Sequence, residues 1–191
     1  MKVVIDTNSL LSLVRYYLPF DKNSVLHNFF KKKIETGEII LIDKVFEECT
    51  YNSKGLVIET LFFLKDKKFL KSAKIPYKTD SLLAPSPAKF LRQLENQFVN
   101  QVVKKQKKLT DTEFESQKSN FLENADVKQI ILGLNLIKQG EEVVLVTEET
   151  ESGNDNKLFK KIPAICKELG IETLTLPELL DKFDGININV R

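Results

Sequence analysis

Four short aliphatic runs without polar interruption punctuate the chain: Val3-Val4-Ile5, Ile39-Ile40-Leu41-Ile42, Val143-Val144-Leu145-Val146, and a looser one over residues 171–176. Uninterrupted runs of this kind suit strands covered on both faces of a parallel sheet. The predicted strands span residues 3–5, 38–42, 142–147 and 171–176. Between them the apolar positions recur at intervals of three and four. That spacing predicts a helix over residues 9–17, stopped ahead of Pro19 because a residue preceding proline is pushed out of the helical region. A second helix, capped by Asp21 or Asn23, carries Val25, Leu26, Phe29, Phe30 and Ile34 and ends at Gly37; His27 lies off its stripe and reads as a surface residue. A third starts at Asp43 with Val45, Phe46 and Cys49 facing inward.

From residue 52 to 120 the pattern changes. Residues 56–64 are apolar and helical, Pro76, Pro85 and Pro87 interrupt a polar stretch, and Phe90, Leu91, Leu94, Phe98 and Val102 predict one long helix over residues 88–108. Beyond it, Asp126 opens a helix whose stripe is Ile130, Ile131, Leu134 and Ile137, with Gly140 as its end. A helix over residues 162–169 and a short one over 177–183, with proline in its first turn, complete the alternation. Strands alternating with helices make an α/β fold with a parallel sheet.

Length allows one domain, or one domain with a large insertion, and 42% hydrophobic residues supply a core. No run approaches the roughly 20 apolar residues that cross a bilayer, so a soluble, cytoplasmic protein without membrane contact is expected. Cys49 and Cys166 lack metal-ligand spacing and read as reduced core residues. With His27 the only histidine, His-based zinc sites and Ser-His-Asp triads are disfavoured. Carboxylates are left to do any chemistry. The net charge of +2 hides an asymmetry: residues 52–120 hold 14 Lys and Arg against 7 Asp and Glu, and the rest of the chain 15 against 20. Within that basic segment Lys104, Lys105, Lys107 and Lys108 form either a solvated helix end favoured by the macrodipole or a patch that neutralises nucleic-acid phosphates.

Asp6 closes the first strand, where open α/β folds bind ligands at the carboxyl edge of the sheet; its plain alternative is a helix N-cap. Glu149 follows the third strand, and Glu48 and Asp126 fall in the early turns of helices. All four can reach one rim of the sheet. Carboxylates so gathered repel unless some are protonated or a cation lies between them, and hard oxygen donors without His or Cys point to Mg²⁺ or Mn²⁺. One- or two-metal phosphodiester hydrolysis is the chemistry such a cluster suits.

The segments Val4-Ile-Asp-Thr-Asn-Ser-Leu-Leu11, Val45-Phe-Glu-Glu-Cys49, Asn124-Ala-Asp-Val127 and Val144-Leu-Val-Thr-Glu-Glu149 resemble, in order, the motifs of PIN-domain ribonucleases. Lys161-Ile-Pro-Ala-Ile-Cys-Lys-Glu-Leu-Gly-Ile171 resembles a DUF4411-type subgroup. The resemblance covers residues 1 to about 48 and 124 to about 180. It implies a single three-layer α/β/α domain over residues 1–191, with a central parallel sheet of four to five strands and a basic helical insertion at 52–120. It also implies an endoribonuclease of the toxin-antitoxin type using Mg²⁺ or Mn²⁺, with RNA and a cognate antitoxin as partners and, where it forms a homodimer, a second copy. Asp6, Glu48, Asp126 and Glu149 match the metal-binding and catalytic acids, with Glu47 adjacent to the second. The fourth position is usually Asp, so Asp155 is the alternative to Glu149. Asn8 matches a polar neighbour of the first acid, Thr147 is placed to contact a neighbouring acid or a water, and Lys104 and Lys105 are the expected RNA contacts. Haloacid-dehalogenase phosphatases also begin with a strand and Asp, but carry an acid two residues later, where this chain has Asn8. A non-catalytic RNA-binding or scaffold module and a housekeeping RNA-processing nuclease are the other readings.

Overall fold

β-Branched side chains pack well on a pleated surface, and the aliphatic runs do form the sheet. In a computed structural model that describes residues 1–150 and 156–183, strands β1 (Lys2–Ile5), β2 (Ile39–Ile40), β3 (Val143–Val146) and β4 (Glu172–Leu174) pair in the order β2-β1-β3-β4, all parallel. Val3 stands opposite both Ile39 and Val144, and Ile5 opposite Val146. The central strands are buried on both faces from Val3 to Ile5 and from Val143 to Val146.

The helix after β1, α1 (Thr7–Ser12), starts two residues earlier than expected because Asp6 itself is its N-cap. Nor does the helical path stop before Pro19. It loosens into a π turn over Leu13–Tyr17 and tightens into a 3-10 turn over Leu18–Phe20, where proline occupies a first-turn position with no intrahelical N–H partner to lose. Next, α2 (Val25–Glu35) has Ser24 at its N-cap, and Asp21 instead accepts the His27 N–H at 2.9 Å. Its inner face is Leu26, Phe30 and Ile34, with Val25 exposed. His27 is half-buried rather than a surface residue: its ring stacks on Phe62 at 4.9 Å and meets Phe63 edge-on at 5.4 Å. The middle segment folds back over α2 and covers it.

β2 is shorter than expected. Beyond Ile40 the chain turns to the middle segment, with the Tyr77 N–H donating to Leu41 O at 2.8 Å and the Asp43 N–H to Tyr77 O at 2.9 Å. Asp43 opens α3 (Asp43–Tyr51) and accepts hydrogen bonds from the Thr79 N–H and hydroxyl at 3.0 and 2.5 Å. The sheet edge is thereby covered. The middle segment then runs through α4 (Leu56–Thr60), a 3-10 turn (Phe62–Lys65), α5 (Lys67–Ala73), α6 (Pro87–Gln93), α7 (Gln101–Gln106) and α8 (Asp111–Leu122). The single helix expected over 88–108 is broken: a π turn over Leu94–Phe98 gives way to extended backbone at Val99, which bridges to Phe159. Asn100 N–H donates to Leu158 O and Lys160 N–H to Phe98 O, both at 2.8 Å. Asn100 then restarts the helix by accepting from Val103 N–H.

Two elements complete the face opposite α2: α9 (Ala125–Lys138), which packs on β1 and β3, and α10 (Ile162–Leu169), which packs on β4 and α9. α9 is buried on all sides from Val127 to Gly133 and then climbs out, so Leu134 is half-buried and Ile137 exposed, against the stripe expected for it. Gly133 permits the close approach to the sheet, since a Cβ there would lie 3.0 Å from Leu145 Cδ1. On the other face, α11 (Leu176–Lys182) follows β4, and Phe183 meets Phe29 of α2 at 5.0 Å. The result is an α/β/α sandwich. Phe63, Phe90, Phe98, Phe114 and Phe121 of residues 52–120 join the same continuous hydrophobic cluster as the sheet. Among the described residues no helix is long and apolar enough to cross a membrane.

Candidate active site

From β1 the chain moves to β2 on one side, and it returns to β3 on the other. Right-handed crossovers then send the helices after β1 and β3 to opposite faces, leaving a crevice at the carboxyl ends of these two strands. Asp6 and Thr147-Glu148-Glu149 stand at that crevice.

Asp6 is buried, at 4% exposure. Its N–H donates to Val146 O at 2.9 Å, Oδ1 accepts the Thr7 N–H at 2.7 Å, and Oδ2 accepts the Thr147 hydroxyl at 3.3 Å. The plain capping reading of Asp6 is therefore true as far as it goes. Thr7, also buried, uses its hydroxyl to reach Glu48 Oε2 at 2.5 Å. Glu47, one residue earlier, is exposed; of the two glutamates left open by the sequence, Glu48 faces Asp6. Glu149 Oε2 accepts the Ile162 N–H at 3.2 Å, while its Oε1 lies 3.5 Å from Lys157 Nζ. The neighbouring Glu148 accepts the Leu176 N–H at 2.9 Å and the Ser9 hydroxyl at 3.4 Å. Asp126 lies in the first turn of α9.

Electrostatics joins these acids into one group. Burial, followed by the charges of Glu48 and Glu149, pushes Asp6 up to about 6, against the hydrogen bonds from Thr7 and Thr147. Burial, then Asp6, Glu149 and Glu48, pushes Asp126 up to about 7, with Lys157 pulling the other way. The positive ends of α1, α9 and α10 offset part of the repulsion, since Asp6, Asp126 and Glu149 each lie at a helix N-terminus. Burial remains the largest cause of the raised values of Asp6 and Asp126, with the neighbouring carboxylates second. Behind the acids, Cys49 and Cys166 are buried and unpaired by disulfide, and burial pushes both thiols up to about 12, away from thiolate chemistry.

The remaining expected residues divide. Thr147 touches Asp6 and accepts the Glu149 N–H at 3.2 Å. Asn8 is exposed, and the hydroxyls of Thr7 and Thr147 hold the acids instead. Lys104 is turned toward Phe114, its Nζ 3.5 Å from the ring centroid, and Lys105 is exposed. Asp155 lies outside the described residues. Among the described residues no group of three or more Asp, Glu, His or Cys side chains is arranged so that it can hold a metal ion as it stands. Glu48 and Glu149 are both engaged by hydrogen bonds within the fold.

Beside the acids opens a cleft of about 450 Å³ that was not legible in the sequence. Asp126 lines it together with Lys107, Lys157, Lys160 and Lys161 and with Gln117, Asn120, Asn124 and Asn156. The signal available was the Lys157 and Lys160-Lys161 cluster just ahead of α10, overshadowed by the denser lysines at 104–108. The cleft forms because the backbone pairing of Phe98 to Asn100 with Leu158 to Lys160 draws the end of α7 toward the segment ahead of α10.

No curated protein and no solved structure matches the chain significantly. Residues 83–185, more than half of the chain, match a family described as a domain of unknown function (DUF4411). That span holds Asp126, Glu149 and the whole lining of the cleft, while Asp6 and Glu48 precede it. The chain belongs to the DUF4411 family.

Proposed function

We propose that the protein is a divalent-cation-dependent ribonuclease of the PIN type, hydrolysing RNA phosphodiester bonds at Asp6, Glu48, Asp126 and Glu149. One observation carries the reading. Acids from four separate places in the chain feel one another's charge at the sheet's switch-point crevice, and two of them hold their protons far above the ordinary carboxylate range. The donor chemistry fits Mg²⁺ or Mn²⁺: carboxylate oxygens only, with both nearby thiols held protonated. A divalent cation bound there supplies Lewis-acid activation of the phosphodiester and of water. The chain's own residues supply the rest. Thr7 and Thr147 fix the two oxygens of Asp6, the Thr7 hydroxyl fixes Glu48, and Asp126 holds or releases a proton near neutral pH. The toxin role, a cognate antitoxin and a homodimer rest on the PIN resemblance of the sequence and belong to this proposal.

Incubation of the full chain with single-stranded and structured RNA, with Mg²⁺, Mn²⁺ or chelator, tests it. Cleavage is expected only with the cation, and Asp6→Asn or Asp126→Asn should lower it by about a hundredfold or more with folding intact. A second reading, a non-catalytic RNA-binding module, is favoured by one feature: the Glu149 carboxylate is already held by the Ile162 N–H and Lys157. Metal-independent RNA binding that survives both substitutions, without cleavage, would establish that reading instead.

A further inference from the structure

Resting on the nuclease reading, we propose that the cleft beside Asp126 seats one nucleotide of an unpaired RNA strand next to the phosphodiester that the acids face. Its volume, about 450 Å³, lies in the range of pockets that enclose a single small molecule, roughly 300–1,000 Å³. A volume of that size takes one unpaired nucleotide and not a base pair with its stacked neighbours. Its lining is mostly basic, with Lys107, Lys157, Lys160 and Lys161 against the single acid Asp126. That excess of positive charge favours a phosphate.

The lining also carries amides, which offer a donor and an acceptor each and match the Watson–Crick edge that only an unpaired base exposes. Asn124 is the informative one. It occupies the N-cap position of α9, yet its side chain accepts none of the helix's amides and lines the cleft. Phe121 and Phe159, stacked at 4.1 Å and nearly buried, add apolar surface to the lining. Among the described residues two of the lysines have loose partners, Lys157 to Glu149 at 3.5 Å and Lys160 to Glu168 at 3.7 Å. Such pairs are weak enough for a phosphate to replace.

Fluorescence anisotropy of a labelled unpaired RNA oligonucleotide with the full chain in chelator, beside the same RNA annealed to its complement, tests the seat. The unpaired strand is expected to bind about tenfold more tightly or better. Lys107→Gln/Lys160→Gln/Lys161→Gln should weaken it about tenfold and flatten the log–log salt dependence by about 2, since each phosphate neutralised on a single strand accounts for roughly 0.7 of that slope. A charge-matched Lys22→Gln/Lys32→Gln/Lys67→Gln variant, altered at exposed positions away from the cleft, should bind as the unaltered chain does. Thermal unfolding checks that both variants fold. Duplex binding as tight as that of the unpaired strand, or equal losses in the two lysine variants, would overturn the proposal. Cleavage assays keep the two readings apart. Divalent-dependent cleavage with KM unchanged in the cleft variant removes the seat and leaves the nuclease; lysine-dependent binding of unpaired RNA without cleavage removes the nuclease and leaves the seat.

Discussion

Asp6 does two things with opposite energetic signs. As N-cap it satisfies the Thr7 N–H; as a buried carboxylate beside Glu48 and Glu149 it is held protonated up to about 6. A folded-state value above the unfolded 3.8 means that its contribution to stability is fully present below the unfolded value and lost as pH rises through about 6. Asn caps a helix as well as Asp does. In chelator at pH 8, Asp6→Asn is therefore expected to be more stable than the unaltered chain by about 3 kcal/mol, from roughly 1.4 kcal/mol for each tenfold change in proton affinity, with the gap closing near pH 4. Thermal unfolding at the two pH values measures it. The paired glutamates separate by geometry: Glu48→Gln should lower cleavage about tenfold or more, whereas exposed Glu47→Gln should stay within about twofold, as initial rates with Mn²⁺ will show. The places of Asp6 and Thr147 at strand ends and of Asp126 in a helix's first turn were legible from pattern, whereas the choice of Glu48 over Glu47 needed the fold. The role of Thr7 was not legible, because a hydroxyl that reaches 41 positions along the chain leaves no local trace.

The two central strands were read to within a residue because burial on both faces leaves an uninterrupted aliphatic run, whereas the outer strands β2 and β4 are shorter than the runs that predict them. Helix ends and breaks were not legible in this way. The break at Val99 comes from backbone pairing with Phe159, some sixty residues away, which overrides a helical apolar spacing; Asn100, a favoured N-cap residue, was the one local hint. Asn100→Ala should cost about 1 kcal/mol by loss of the cap. It should also loosen the cleft, lowering affinity for unpaired RNA. Gly133 was invisible for a related reason, since only the packed sheet shows why a side chain is excluded there. Gly133→Val is expected to destabilise the fold by about 1–3 kcal/mol through overpacking against Leu145. Chemical denaturation of the two variants checks both values.

Over the full chain, the sheet brings β1 and β3 together and so sets Asp6 beside the Thr147-to-Glu149 loop, while α3 and α9 carry Glu48 and Asp126 to the same crevice. The middle segment covers the edge of β2 and, through Lys107, Gln117 and Asn120, forms one wall of the cleft. Its basic charge was legible from composition, but the surface facing the acids is contributed as much by residues 157–161, which only the tertiary pairing places there. Whether the four acids form one divalent-cation site is decided by isothermal titration of Mn²⁺ into the metal-free full chain at pH 7.5, beside Asp6→Asn/Asp126→Asn. Saturable binding with release of protons, lost in the folded double variant, is the expected result. No saturable binding at millimolar Mn²⁺, or the same binding in the double variant, would contradict it.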